Sequence, residues 1–409
     1  MRVLLTNNAL DVRAGTELYL RDVAVELIRR GHQPTAYSTK LGAMAEELRR
    51  ADVPVVSGLD ALDSPPDIIH GHHHYETQTA ILRFPEVPAI YYCHGWLPWQ
   101  EAPLRSPRIF RYVAVDELCR ERLIVQGGIA PEKIELLLNF FDARLFPARR
   151  RLPSSPRLAL AFGHTFSETS ELPVLRKACG RCGIELHVAG LHSGATELNP
   201  GRRLADYDIV FAKARAAIEA VAVGAAVVLC GYEKLGPMVT ASNFDSLRRL
   251  NFGFRTLSRP LEADLVVASL RQYDAGDAGE VSKLVRQNCE LRPAVDRLIN
   301  LYSEVIEEAR TGPVVSDRDA ALAAARYLEE WASEYKRGPG NKLGDSPELT
   351  ACERRELIAI RNSVSWRWSQ RVLRNPVVKT MFGRLIRSVA SRAHRRSSAR
   401  TASKEAASS

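Results

Sequence analysis

No stretch of this sequence reaches the roughly 18 consecutive apolar residues that a membrane span requires. Its opening, Met1-Arg-Val-Leu-Leu-Thr-Asn-Asn, has too short an apolar run for a signal peptide. These two absences predict a protein that is neither secreted nor integral to a membrane. Cysteine is sparse and unpatterned: the seven residues Cys93, Cys119, Cys179, Cys182, Cys230, Cys289 and Cys352 are odd in number and mostly lie in apolar stretches. That excludes a disulfide scaffold and predicts free thiols in a reducing, cytoplasmic compartment. No repeat of solenoid period is present, and low complexity is confined to the Ser/Ala/Arg end after Arg392.

What is present is an ordinary globular composition. The 409 residues, 45% hydrophobic, 26% charged and 7% aromatic, suffice for two or three domains. A body of ~300 residues buries about three quarters of its unfolded surface and needs neither metal nor disulfide to fold. The net charge of +9 suggests nucleic acid until it is divided. Residues 351–409 carry 14 Lys/Arg against 3 Asp/Glu, net +11, leaving 43 against 45, or −2, for residues 1–350. The excess basicity belongs to a terminal segment and says nothing about what the body binds.

Arg2-Val-Leu-Leu-Thr is an apolar run suited to a buried parallel strand, and Thr16 to Arg30 has a helical period with Leu18, Val23, Leu27 and Ile28 on its apolar side. Gly31-His32 stops the helix and Pro34-Thr-Ala-Tyr-Ser resumes as strand. Asp67–His70, Pro88–Cys93 and Arg111–Val115 continue the series. After a Pro/Ser/Arg-rich segment at Pro147–Pro156 come Leu158–Phe162, Ile184–Val188, Tyr207–Phe211 and Ala225–Cys230, then helices from about Ala263 to Tyr335. Strands alternating with helices predict an α/β protein of two Rossmann-like, doubly wound parallel-sheet domains, whose ligand sits at the carboxyl ends of the strands. The boundaries read as 1–150, 151–335 including the final helices, and 336–409 for a linker and basic helical tail.

Two constellations carry chemistry. Arg13-Ala-Gly-Thr-Glu17 follows the first strand and opens a helix, where free amides favour an anion; an ordinary helix entry capped by Thr16 is the other reading. The second runs from Tyr207 to Leu229. A buried strand leads into a loop holding Lys213 and Arg215, then a helix with Glu219 near its start, closed by Gly224. Cations near a strand end reach a diphosphate, and a carboxylate one turn into the helix accepts two hydrogen bonds from ribose hydroxyls. A capped amphipathic helix with its charges in water is the alternative.

Glu-Ala-x-Ala-x-Gly and Val-Val at 219–228, Gly15-Thr-Glu17, Asp67-Ile-Ile-His70-Gly-His72, Cys93-His94-Gly95 and Asn139-Phe-Phe-Asp142 with Phe146 together resemble the GT-B glycosyltransferases, over about residues 1–310. More narrowly, they are similar to the large retaining family of glycogen-synthase-like and mannosyl-transferring enzymes. The resemblance implies that Glu219 holds the nucleotide ribose, that Gly15 and Thr16 approach the donor phosphates, and that His94 lies near the donor sugar. Two departures stand out: the family's first glutamate falls on Phe211, and its arginine and lysine after the first strand of the second domain have no match in Phe162–Glu168.

A departing nucleoside diphosphate must be met by fixed donors. Lys213, Arg215 and the amides around Gly236, Met238, Val239 and Thr240 are the expected substitutes, with His94, Lys213 and Arg215 as catalytic groups. Glu17, His70 and His72 are expected on the acceptor side. The resemblance implies sugar transfer with retention and no bound metal or other cofactor, from a UDP- or GDP-linked donor to a saccharide or lipid-linked acceptor, in cell-surface polysaccharide or glycolipid synthesis. A catalytically silent GT-B scaffold and a nucleotide-sugar epimerase are the alternatives.

Three rival sites are weaker. Asp206-Tyr-Asp208 enters a parallel strand, where strand-start polarity explains it. The histidines of His70-Gly-His-His-His74 rarely converge on one zinc from adjacent positions, and Cys179-Gly-Arg-Cys182 lacks a second pair. The segments Leu357–Trp368 and Val372–Val389 mix aromatics, aliphatics and arginines at helical spacing. They suit peripheral attachment to an anionic membrane at the inner face, or a helical pair packed on the body; no nucleic-acid reading module is present.

Overall fold

The structure is a computed structural model that describes residues 1–96, 98–148, 151–163, 166–189 and 200–336. The expected basic tail, most of its linker, and parts of the segments at 147–156 and 162–168 lie outside these residues. Residues 1–334 form one compact unit that carries two sheets.

The first series runs β1 (Arg2–Thr6), α1 (Gly15–Arg29), β2 (Gln33–Tyr37), α2 (Ala43–Arg50), β3 (Val55–Val56), β4 (Ile68–His72), α3 (His74–Arg83), β5 (Ala89–Cys93), β6 (Ile109–Ala114), α4 (Glu117–Val125) and β7 (Ile134–Leu136). Its seven strands lie in the order β3-β2-β1-β4-β5-β6-β7, every pair parallel. Helices on both faces explain why the strands are apolar throughout instead of alternating. On α1, Tyr19, Leu20, Val23, Ala24 and Leu27 are buried, a stripe at helical spacing that faces the sheet.

The second series runs β8 (Leu158–Phe162), α5 (Glu171–Arg181), β9 (Glu185–Ala189), α6 (Pro200–Leu204), β10 (Ile209–Ala212), α7 (Ala214–Val223), β11 (Ala226–Gly231), β12 (Lys234–Met238), α8 (Phe244–Arg249), β13 (Arg259–Pro260), α9 (Ala263–Leu270) and α10 (Ala275–Asn288). The order is β13-β12-β11-β10-β8-β9, with β8 to β11 parallel and β12 and β13 antiparallel. Gly224, at φ +97°, ends α7 in the left-handed conformation that glycine adopts freely.

The last helices, α11 (Leu291–Thr311) and α12 (Asp317–Lys336), follow. Although expected with the second domain, Leu291, Val295, Leu298, Leu301, Tyr302 and Val305 are buried in the core of the first sheet, as is Tyr327. Each such side chain contributes up to roughly 1.5–3 kcal/mol by leaving water, so the apolar stripe of α11 follows the surface that can cover it. The chain thus crosses between lobes twice. The crossings are tied where the Phe141 amide donates to the Cys289 carbonyl at 3.0 Å and the Leu291 amide to the Phe141 carbonyl at 2.9 Å.

Candidate functional site

Strand order reverses between β1 and β4 in the first sheet and between β8 and β10 in the second. Crevices outside the carboxyl ends of strands at such points are where open α/β sheets bind ligands. The first opens beside Asn7 and His73, the second beside Gly163 and Lys213. Helix α1 begins here with no side-chain cap, and a Cβ added to Gly15 would meet nothing within 4 Å, so the leading amides border open space. Thr16 is not the cap: its hydroxyl donates to Glu17 Oε2 at 3.0 Å.

Glu219 is 5% exposed and is near enough to Asp22 and Arg21 of the first lobe to feel their charges. Arg215 Nε donates to Glu219 Oε1 at 2.7 Å, while Arg215 Nη2 pairs with Asp22 on α1. Arg21 continues the line to Asp22 at 2.5 Å and to Glu47 at 2.6 Å, and Arg13 reaches the second oxygen of Glu47 at 2.6 Å. Burial favours the neutral acid at Asp22, but Arg215 and Arg21 outweigh it and hold the carboxyl below its usual range. At Glu219 burial wins over Arg215 and the pKa is raised. The sequence places Arg215 as a free diphosphate cation; here two carboxylates hold its Nε and Nη2, because a buried guanidinium must be paired, while Nη1 is buried without a hydrogen-bond partner.

His70 and His72, expected to touch an acceptor, are both 0% exposed. They sit on successive inward positions of β4, where alternation points i and i+2 to one face. His70 stacks on His72 with centroids 4.5 Å apart and places Nδ1 2.5 Å from the Tyr302 hydroxyl on α11. His72 Nδ1 lies 2.8 Å from His94 Nε2, and the rings of Tyr19 and Tyr92 close the column around His94 at 4.7 and 4.8 Å. Only His94, the outermost imidazole, retains partial exposure. Burial pushes His70 down to about 3. His94 falls to about 4, burial prevailing over the pull of Glu101. These imidazoles are neutral hydrogen-bonding groups, and with His74 Nδ1 turned to the Tyr327 hydroxyl at 2.9 Å they face different partners instead of one ion.

A second polar cluster lies beside the column. His73, at φ +63°, accepts the Asn8 amide on Nδ1 at 2.9 Å and faces Glu101 Oε1 through Nε2 at 3.6 Å. Burial opposes its charge, but the bond to Glu101 and the charges of Glu101, Glu76 and Glu17 raise its pKa. Glu101 in turn accepts the His94 amide at 2.9 Å. Glu17, 7% exposed, is raised by burial.

On the second lobe, Lys213 precedes α7 and holds Nζ 4.5 Å from the centre of the Tyr232 ring. Phe211 is wholly buried among the apolar residues beneath β10, so this position contributes packing where the resemblance implies a carboxylate. Gly236 and Met238 belong to β12, which runs antiparallel to β11 and carries the chain away from the crevice. The Val239 amide donates to the Val227 carbonyl at 2.8 Å and the Thr240 amide to Asn243 Oδ1 at 2.9 Å. These amides were expected at the diphosphate; they are committed to the sheet and its turn at the opposite end of the strands.

Asp22, Tyr19, His73, Glu101, Tyr232 and Lys234 escaped the sequence reading. Asp22 had left a trace, as an acid on the apolar side of a helix beside Val23. Tyr19 lies on the buried stripe of the same helix, and the others sit in turns, loops or strand ends whose neighbours are distant in sequence.

Residues 13–145 match the family model described as glycosyltransferase family 4. No curated protein sequence matches the chain. Among solved structures, Anabaena HepE, determined in complex with UDP and glucose, is 15% identical with a TM-score of 0.52, covering 74% of this chain and 100% of its own. A glycosyltransferase from Rickettsia africae is 15% identical with a TM-score of 0.53, covering 75% and 98%. No helix among the described residues is long and apolar enough to cross a membrane. With two sheets facing across a double chain crossing, and a first lobe matched to family 4, the chain has the GT-B glycosyltransferase fold.

Proposed function

We propose that the protein transfers a sugar from a nucleotide-linked donor to an acceptor hydroxyl, the donor seated on the second lobe and the acceptor presented by the first. The observation that carries this reading is Glu219: a carboxylate inside the first turns of α7, next to the strand-order reversal, joined through Arg215 to Asp22 of the opposing lobe. A donor ribose there hydrogen-bonds the second carboxylate oxygen, Oε2, while Arg215 keeps Oε1. His94 then faces the sugar as a neutral imidazole, fixed by His72 through Nε2 and by Glu101 through its own amide. Preorganised groups of this kind meet developing charge without reorganising, which is the largest part of such catalysis.

The UDP seen with HepE supports a nucleotide ligand on this fold. Retention, independence of metal and other cofactors, a UDP- or GDP-linked hexosyl donor, and a saccharide or lipid-linked acceptor in surface polysaccharide or glycolipid synthesis extend the same proposal. So does attachment of the +11 tail to an anionic inner membrane face, which sedimentation with phosphatidylglycerol vesicles at low and high salt tests.

The deciding experiment incubates the purified protein with a panel of nucleotide sugars in EDTA. Release of free nucleoside diphosphate from one donor supports transfer. An epimeric sugar still on its nucleotide makes the protein an epimerase, and absence of both binding and turnover makes it a silent scaffold.

A further inference from the structure

Two carboxylates hold two of the three nitrogens of Arg215 and neutralise most of its charge, yet the reading above requires available cations at the end of β10 and β11. Among the described residues Lys213 and Lys234 make no ion pair, unlike the arginines around them. Each ammonium is held over a ring: Lys213 Nζ is 4.5 Å from the centre of Tyr232, and Lys234 Nζ is 5.3 Å from the centre of Phe254. The two rings meet edge-on at 5.7 Å, and Trp96 of the first lobe leans on Phe254 at 5.2 Å. The result is a continuous ledge, lysine, tyrosine, phenylalanine, lysine, with an indole from the opposite lobe at its rim. A ring face attracts a cation without neutralising it, so both charges stay available to an anion.

The backbone supports the same place. Tyr232 and Glu233 form the two-residue turn between β11 and β12, both at φ +54°, the double left-handed conformation usually supplied by Asn-Gly. Ala214, directly after Lys213, has φ +50°. Non-glycine residues held there cost on the order of 1–3 kcal/mol each and collect at functional sites. The turn is fastened by the Glu233 amide donating to Glu171 Oε1 at 3.0 Å, and it leaves Tyr232 44% exposed. Glycine in the turn would relax the strain but could not carry the ring on which Lys213 rests.

We propose that Lys213 and Lys234, mounted on the Tyr232–Phe254 ledge, are the cation pair that receives the diphosphate of the donor. The inference rests on the nucleotide-sugar reading and names the groups that hold its charged part. Two ammonium charges flanking one ledge match the two phosphates of a nucleoside diphosphate better than a single phosphate. Lys234 begins the strand after the turn, so its stem is set by the β11 to β12 ladder and its head by Phe254.

The test is calorimetric titration of the full-length protein and its Lys234→Met, Lys234→Arg and Lys213→Met variants with UDP, GDP, UMP, GMP and inorganic pyrophosphate, each variant checked for an unchanged melting temperature. Lys234→Met should weaken the bound nucleoside diphosphate and pyrophosphate at least tenfold and the monophosphate by less than threefold, and Lys234→Arg should restore most of the loss. Lys213→Met should behave like Lys234→Met. If the unmodified protein binds a nucleoside diphosphate and Lys234→Met binds it within twofold, the cation pair is overturned and the nucleotide-sugar reading survives. If the unmodified protein binds neither diphosphate, both are overturned.

Discussion

Arg215 of α7 and Asp22 of α1 form an ion pair that joins the two lobes, with side chains 12% and 2% exposed. Glu219 shares the same guanidinium from its own helix. The group proposed to hold the donor ribose is therefore tied, through one arginine, to the helix that opens the opposing lobe.

Removing Asp22 should be costly. Taking one partner from a buried pair leaves charge uncompensated and costs about 3–5 kcal/mol, and the surviving Glu219 contact places Asp22→Ala at about 3 kcal/mol. Urea unfolding measures it; a midpoint equal to that of the unmodified chain would show that the pair contributes nothing to joining the lobes.

Glu219→Gln should lower affinity for the bound nucleoside diphosphate by about 10- to 100-fold, the loss of a charged hydrogen bond at roughly 1.5–3 kcal/mol. The same change should cost the 2′-deoxy nucleotide less, because that ligand keeps only one of the two hydroxyls the carboxylate accepts. Equal losses for both ligands would separate Glu219 from the pentose.

Acid should destabilise the fold from the first lobe outward. The pKa values of His70 and His74 are pushed down to about 3 and that of His94 to about 4, all chiefly by burial, against about 6.5 in an unfolded chain. Below pH 6.5 the unfolded state binds protons that the folded imidazoles refuse, so stability is full above that value and declines toward pH 4. Each histidine costs up to about 1.4 kcal/mol per pH unit across that window. His73, whose pKa is raised, works the opposite way but is one against four, since burial lowers His72 as well. Urea midpoints at pH 7.5 and pH 5 decide; equal values would mean the column is not sealed from water.

Glu233→Gly should stabilise. It places glycine at φ +54° and relieves about 1 kcal/mol of left-handed strain without touching the Tyr232 ring. A lowered melting temperature would contradict the strain argument.

Much of the architecture was legible because its signals are local. The apolar runs at Arg2–Thr6, Ala89–Cys93, Leu158–Phe162 and Ala226–Gly231 are strands as read, and the glycine after Val223 ends its helix. Gly236–Thr240 misled, because a strand joining the sheet antiparallel through a two-residue turn leaves no apolar run distinct from a loop. The site was half legible. Lys213, Arg215 and Glu219 occur together in sequence, and the strand-to-helix transition at Ala212–Ala214 places them at a strand end.

The amino-acid sequence by itself determined two doubly wound lobes and put a carboxylate and two cations on the second. Only the tertiary structure decided which of those charges are available. Whether Arg215 is free depends on Asp22, some 190 residues earlier, and whether Lys213 has a companion depends on a turn that brings Lys234 beside Phe254. Partner choice among buried charges is set by who arrives within a few ångströms, and that is fixed by packing between elements distant along the chain.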